Sequence, residues 1–378
     1  MEDLSKIRKD IDIVDSKLLE LFEYRIELAH RVAAYKMKNN LPVYDPIREE
    51  EKLKNLRKIA KNSENADAIS NLFSEIMTIG RQVQYSALAD HEDLGFTTVK
   101  DIDAGIDTKI AYYGEIGSYT EQAMKEYFKE QGVGISMDTF EEVMQALENE
   151  DVEFGVLPIE NSSTGTLSDI FDLLAEHDNY IIGEQVIDID HNLWGLPEAE
   201  LKDIKKVYSH RQGLLQCSSF LIKHSDIETI EGQSTAASAR RVWTDKDITQ
   251  AAIASKNAGK TYGLKLLQSS IHNEENNQTR FIVISNKRIY LKDSKRISIC
   301  FNLPHRSGAL YNILSHFIHN NINMTRIESR PIKGKAFSYR FFVDFEGALE
   351  NVDVKNAVFA IKQEALDLKI LGSYIPVE

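Results

Sequence analysis

The sequence predicts a multidomain chain: an all-α head of three helices, an α/β middle with polar loops at its strand ends, and an α+β tail in ferredoxin-like order. Three observations predict it. Apolar residues recur by heptad near the N-terminus, as Leu4, Ile11 and Leu18 on one line and Ile7, Val14, Leu21 and Leu28 on the other. Strands alternate with loops and helices through the centre. From Arg296 the pattern runs strand, helix, strand, strand, helix, strand.

The chain has 378 residues, enough for two to four domains, with 42% apolar and 28% charged residues. Its net charge of −14 argues against a nucleic-acid partner, since phosphate binders carry basic patches. An anionic ligand would therefore need locally gathered Arg and Lys. Cys217 and Cys300 are the two cysteines, with no CxxC and no zinc-like spacing. That fits a reducing cytosol and calls for neither disulfide nor metal. The charged start, Met1 to Lys6, is not a signal peptide, and no apolar run reaches membrane-span length. The expected location is cytoplasmic.

The first helix should run from Leu4 to about Asn39, where Leu41-Pro42-Val43-Tyr44 breaks it. Asp45 reads as an N-cap and Pro46 as a first-turn proline of helix two. Asn62 to Asn65 closes that helix, and Ile69, Leu72, Phe73, Ile76 and Val83 form the apolar stripe of a third. Several polar residues interrupt this pattern. Arg25 falls on the apolar seam, Arg8 and Lys36 flank it, Arg48 and Glu49 open helix two, and Gln84 shares a face with Ile76 and Gly80. Taken singly, each reads equally as a solvated or snorkelling side chain. A seam arginine, however, asks for an anionic partner. Arg8 and Arg25 lie ~25 Å apart along a straight helix. If both serve one small ligand, Arg8 must come from a second, antiparallel chain, so a homodimer or higher homo-oligomer is expected.

Residues 1–88 resemble the all-helical chorismate mutases through Ile7-Arg8-Lys9, Glu23 to Ala29, Lys36, Asp45-Pro46-Ile47-Arg48-Glu49 and Gly80 to Gln84. The resemblance implies a site of Arg8, Arg25, Lys36, Asp45, Arg48, Glu49 and Gln84. The family often has serine where this chain has Gly80. Chorismate, a dicarboxylate, rearranges within itself to prephenate without nucleophile, metal or cofactor. Arginines would clamp its carboxylates. By resemblance, Lys36 and Gln84 donate to the ether oxygen, and Glu49 holds the ring hydroxyl.

Residues 89–107, rich in Asp, Thr and Gly and without periodicity, read as a linker. Lys109 to Tyr113 then reads as a strand, followed by the glycine loop Gly114 to Thr120 and a helix, an arrangement suited to anions but weak alone. Further polar loops are Glu160-Asn161-Ser162-Ser163-Thr164, Ser209-His210-Arg211-Gln212 with Gln216-Cys217, and Ser234-Thr235. Each taken alone reads first as a cap or turn; four in one domain point to a small-molecule cleft. Residues 108–286 closely resemble prephenate dehydratases through Gly117-Ser118-Tyr119, Pro158 to Ser162, Ser209-His210, Gln212, Gln216-Cys217, Ser234-Thr235-Ala236 and Asn277-Gln278-Thr279-Arg280-Phe281. The resemblance implies two α/β lobes around a cleft, similar to periplasmic binding proteins. It also implies a site of Ser118, Tyr119, Glu160, Asn161, Ser162, Ser209, His210, Gln212, Gln216, Ser234, Thr235, Thr279, Arg280 and Phe281. Thr279 fits as hydrogen-bond donor to the departing hydroxyl. Arg280 either binds a carboxylate or braces the loop. His210 and Cys217 read as binding or structural rather than nucleophilic.

In the tail, residues 294–378, Ser307-Gly308-Ala309-Leu310 opens a helix with Leu314, Phe317 and Ile318 turned inward. The segment resembles a phenylalanine-binding ACT domain through Gly308-Ala309-Leu310 and Glu328-Ser329-Arg330-Pro331. These residues are the implied sensor site for L-phenylalanine as inhibitor. Two alternatives are a monofunctional dehydratase with a helical dimerisation head, and an amino-acid-binding receptor. The near-complete mutase set disfavours the first. The Thr279-Arg280-Phe281 triplet and the absence of a signal peptide disfavour the second.

Overall fold

The structure, a computed structural model, describes residues 3–89, 93–274, 276–335 and 337–377. It opens on α1 (Leu4–Lys38), capped by Asp3, whose carboxylate accepts from the Ser5 N–H at 3.1 Å. Helix α2 (Pro46–Ile59) starts as the sequence dictates: Asp45 accepts from the Arg48 N–H at 3.0 Å, and Pro46 occupies the first turn. Helix α3 spans Ala66–Ala89.

The chain then forms β1 (Thr97–Val99), β2 (Lys109–Tyr113), α4 (Tyr119–Tyr127), β3 (Val133–Met137), α5 (Phe140–Glu148), β4 (Phe154–Asn161), β5 (Gly165–Thr166), α6 (Ser168–Glu176) and β6 (Tyr180–Asp188). A second lobe follows as β7 (Asn192–Gly195), β8 (Lys206–Ser209), α7 (Arg211–Gln216), α8 (Ser218–Lys223), β9 (Glu228–Glu231), α9 (Thr235–Asp245), β10 (Gln250–Ala254), α10 (Lys256–Thr261) and β11 (Lys265–Gln268). The chain returns through β12 (Gln278–Ser285), β13 (Ile289–Leu291) and β14 (Arg296–Asn302). It ends on α11 (Ala309–His319), β15 (Met324–Pro331), β16 (Tyr339–Glu346), α12 (Val352–Glu364) and β17 (Asp367–Tyr374).

These elements form two compact units: Met1–Leu94 with Phe301–Leu368, and Gly95–Cys300 with Lys369–Glu378. In the first, α3 packs against α1, α2 and α12. The expected α3 stripe differs from the one observed. Leu72 is exposed and Ile69, Phe73, Ile76 and Val83 are half-buried, while Met77, Thr78, Arg81, Gln84 and Tyr85 are buried. The reason is the α12 contact, which covers a face carrying buried polar groups that hydropathy does not count as core. Likewise Ile318 is 68% exposed rather than inward, because α11 buries Ala309, Ile313, His316 and Phe317 at helical spacing. The α1 seam residues Leu4, Ile11, Val14, Leu18 and Leu21 are exposed.

In the second unit, β3-β2-β4-β12-β6 form one sheet, with β2 parallel to β3 and β4, and β12 antiparallel to β4 and β6. Its core includes Ile110, Met124, Val156, Ile182, Phe281 and Val283. The second lobe is the sheet β11-β7-β10-β8-β9 around Leu193, Trp194, Val207, Cys217, Ala239 and Ala252. Two chain crossings join the lobes. They are held together where Ile189 N–H donates to Asn277 O at 2.8 Å and Ile271 N–H to His191 O at 2.9 Å. Within the stretch 89–107, Thr97–Val99 pair in parallel with Ile289–Leu291, and Ile102 and Ala104 are buried against the first lobe.

Candidate active sites

A cleft of about 480 Å³ lies between the two lobes of the second unit. Its walls are loops at strand ends, where the backbone leaves the sheet and side chains are free to converge. Ser118, Tyr119, Asn161, His210, Gln212, Gln216, Ser234, Thr235, Thr279 and Phe281 all line it. Ser118, His210 and Ser234 are also the N-caps of α4, α7 and α9, accepting from Glu121 N–H at 3.2 Å, Gln212 N–H at 3.3 Å and Ala237 N–H at 3.0 Å. The capping and binding readings of these loops are therefore compatible. The longer helices α4 and α9 also direct their positive ends at the cleft, which favours a carboxylate.

Gly117 works differently from a phosphate-cradle glycine. Its φ is +89°, and a Cβ there would meet the Ala258 Cα at 2.7 Å. The loop clasps the second lobe: Ser255 Oγ donates to Gly117 O at 2.8 Å, and Arg240 pairs with Glu115 at 2.8 Å. Ser209 is fully buried and donates to Ile253 O at 2.8 Å, so it supports the wall from behind. Ser162 is exposed and pins the Asn276–Gln278 backbone, accepting from Gln278 N–H at 2.9 Å.

The polar groups of the cleft form one chain. Asn161 Nδ2 donates to Thr279 Oγ1 at 2.8 Å, which leaves the threonine proton free to donate elsewhere. Asn161 Oδ1 accepts from Ser163 Oγ at 2.7 Å, Ser163 Oγ accepts from Gln216 Nε2 at 2.7 Å, and Gln216 Oε1 faces His191 Nε2 at 2.9 Å. That geometry assigns the proton of His191 to Nε2. Burial pushes the imidazole below its usual value, so the ring is neutral near pH 7. The Cys217 thiol is pushed up to about 12, first by burial and then by Asp190, so it stays protonated. Asn277, quoted above within the Asn277-to-Phe281 motif but not as a site residue, accepts from Asn161 Nδ2 at 2.9 Å, while His191 and Gln233 line the cleft and were not singled out in the sequence. The only signal was a polar run, Asp190-His191-Asn192, directly after an apolar strand.

Strand alternation sends Arg280 away from Thr279 and Phe281. Its guanidinium lies 3.5 Å from Glu160 and 3.7 Å from the buried Glu184, which Arg296 also approaches at 3.5 Å. Glu160 and Arg280 thus sit behind the cleft wall.

In the helical head, Lys36 Nζ donates to Val43 O at 2.6 Å. Burial lowers its pKa, Asp45 and Glu49 oppose that, and Arg48 adds to it, so these four groups share one electrostatic environment. Arg25 is half-buried, and Arg8 and Arg48 are exposed. Gln84 is buried, with Nε2 donating to Gly80 O at 2.9 Å. Glu49 is engaged by Arg81, whose Nη1 lies 2.6 and 2.5 Å from the two carboxylate oxygens.

Residues 7–85 match the chorismate mutase type II family and residues 110–289 the prephenate dehydratase family. A bifunctional chorismate mutase/prephenate dehydratase from Aquifex aeolicus is 34% identical over 99% of this chain and 98% of its own length. The chain belongs to the bifunctional chorismate mutase/prephenate dehydratases. A member from Pseudomonas aeruginosa is 33% identical over 99% of this chain and 98% of its own length. The crystal structure of prephenate dehydratase in complex with L-Phe from Arthrobacter aurescens is 27% identical with a TM-score of 0.66, covering 71% of this chain and 90% of that one. The chain is therefore an enzyme with two activities, on chorismate and on prephenate. Among the described residues no helix is long and apolar enough to cross a membrane.

Proposed function

We propose that Lys36, Asp45, Arg48, Glu49, Gln84 and Arg25, with Arg8 of a second copy, hold chorismate, and that Thr279 serves prephenate in the interlobe cleft. In the first reaction the clamp holds the folded dicarboxylate while Lys36 and Gln84 stabilise charge growing on the ether oxygen. In the second, the C–C bond to the ring carboxylate breaks and releases CO2. Its electron pair enters the ring, and the ring C–O bond breaks. A proton converts the departing hydroxide to water, leaving phenylpyruvate. The observation that carries this reading is the Asn161-to-Thr279 hydrogen bond, which leaves the proton of this cleft-lining threonine free to donate to a ligand. Arg280, between Glu160 and Glu184, braces the wall.

The exposed α1 seam supports a homodimer. The C-terminal β14-α11-β15-β16-α12-β17 order supports an ACT-type ferredoxin-like module over residues 294–378, beside a mutase over 1–88 and a dehydratase over 108–286. Gly308, at φ +78°, opens α11, followed by Ala309 and Leu310, and β15 carries Glu328, Ser329, Arg330 and Pro331. These residues bind L-phenylalanine, the ligand named for the Arthrobacter dehydratase. The enzyme acts in the cytoplasm. The test is incubation with chorismate, with and without phenylalanine. Phenylpyruvate should form, and phenylalanine should suppress it. Equal inhibition of a chain ending at Lys287 would move phenylalanine to the catalytic cleft.

A further inference from the structure

Arg81 of α3 is the most buried cation of the helical head, with its side chain 4% exposed. Three different elements satisfy its guanidinium. Nη1 donates to Glu49 on α2, Nη2 to Thr78 Oγ1 at 3.0 Å, and Nε to Glu364 Oε1 on α12 at 3.0 Å. Glu364 is buried too. The same oxygen accepts from the Tyr85 hydroxyl at 3.1 Å and lies 3.3 Å from His316 Nε2 on α11. A planar fork fixed on one side leaves little freedom for a carboxylate held on the other. Glu49 itself is only partly buried, its side chain 24% exposed, so it stays accessible to a ligand while Arg81 holds it.

We infer that Arg81 is a positioning residue of the mutase reaction, holding the Glu49 carboxylate for substrate through an ion-pair relay anchored by Glu364 of the C-terminal segment. This rests on the reading of Glu49 as the acceptor for the chorismate hydroxyl. Burial opposes ionisation of Glu364, but the contact with His316 and the charge of Arg81 outweigh it and hold the carboxyl below its usual range. The relay is therefore charged across the neutral pH range. It makes the C-terminal segment a working part of the mutase: α12 supplies the anchoring carboxylate and α2 the one that is held for substrate.

A double-mutant cycle on the full-length enzyme tests it. Glu364→Gln keeps the shape of the side chain and removes its charge. It should lower mutase kcat/KM roughly 3–10-fold, while dehydratase turnover on supplied prephenate and helical circular dichroism stay at wild-type levels. In a Glu49→Gln background the same change should have no further effect on the mutase, because its path to substrate is already cut. Arg81→Lys should retain more mutase activity than Arg81→Met. An equal loss from Glu364→Gln in both backgrounds would overturn the relay and leave Glu364 a structural residue. Full mutase activity in Glu49→Gln alone would instead overturn the role of Glu49.

Discussion

In the dehydratase cleft, Thr279, Asn161, Ser163, Gln216 and His191 are joined by hydrogen bonds of 2.7–2.9 Å. In the helical head, the guanidiniums of Arg8, Arg25 and Arg48 make no hydrogen bond or ion pair among the described residues, although Glu49 is firmly held. The difference follows from the chemistry each region must do. A bond-breaking step needs a donor aimed before substrate arrives, and neutral groups can be wired together without a large desolvation cost. A clamp for a dianion needs free cations. Arg8 and Arg48 are exposed and Arg25 only half-buried, since burying such a cation unpaired would cost several kcal/mol. The cleft is thus wired within one chain, whereas the arginines proposed as the clamp stand without partners among the described residues of theirs, which is what the proposed sharing of the site with a second copy requires.

The strongest test of this contrast is Lys36→Ala. Removing the proposed ether-oxygen donor should cut mutase turnover roughly 10³-fold while prephenate dehydration is unchanged. Parallel loss of both activities in a folded variant would show that the regions are not separable. Thr279→Ala is the mirror experiment. Dehydration should fall roughly 10²-fold with prephenate formation intact, and unchanged dehydratase turnover would remove Thr279 from the mechanism.

Subunit mixing sharpens the second-copy half of the comparison. Arg8→Ala and Arg25→Ala proteins, each inactive as mutases, should regain about a quarter of wild-type activity after free exchange, since half the sites of each mixed dimer carry both arginines. No recovery despite proven exchange would place both arginines in one chain. The smallest effect concerns pH. Glu364 has a depressed carboxyl pKa, so its contribution to stability is full above the ordinary carboxylate value and fades as pH falls through the lower folded value. Acidification below about pH 4 should therefore lower the melting temperature of the wild type by about 2–4 °C more than that of Glu364→Gln. Equal pH dependence in calorimetry would show that the relay carries no net charge energy.

Much of this molecule was legible in the sequence. The Asp45-Pro46 start of α2 appeared where local chemistry demanded it, because a cap and a first-turn proline act within four residues. Ser118, Asn161 and Gln216 were marked by polar loops and Thr279 by the Asn277-to-Phe281 motif, and all four line one cleft. Other residues were misjudged by hydropathy. Leu72 and Ile318 looked inward and face outward, while Arg81, His316 and Glu364, which the sequence reading assigned no place in the core, are buried.

The sequence by itself determined the three helices of the head, the order of elements in the tail and the two family segments, since periodicity, capping and motif spacing are local properties. Tertiary structure decided the use of the polar residues within those elements. It turned Ser209 into a backbone prop and Gly117 into a lobe contact. It also sent Arg280 behind the wall and joined Glu49 to Glu364 through Arg81, across more than 300 positions of chain. The physical reason is that a charge is stable inside a protein only beside its partner, and no local pattern in the chain says where that partner lies.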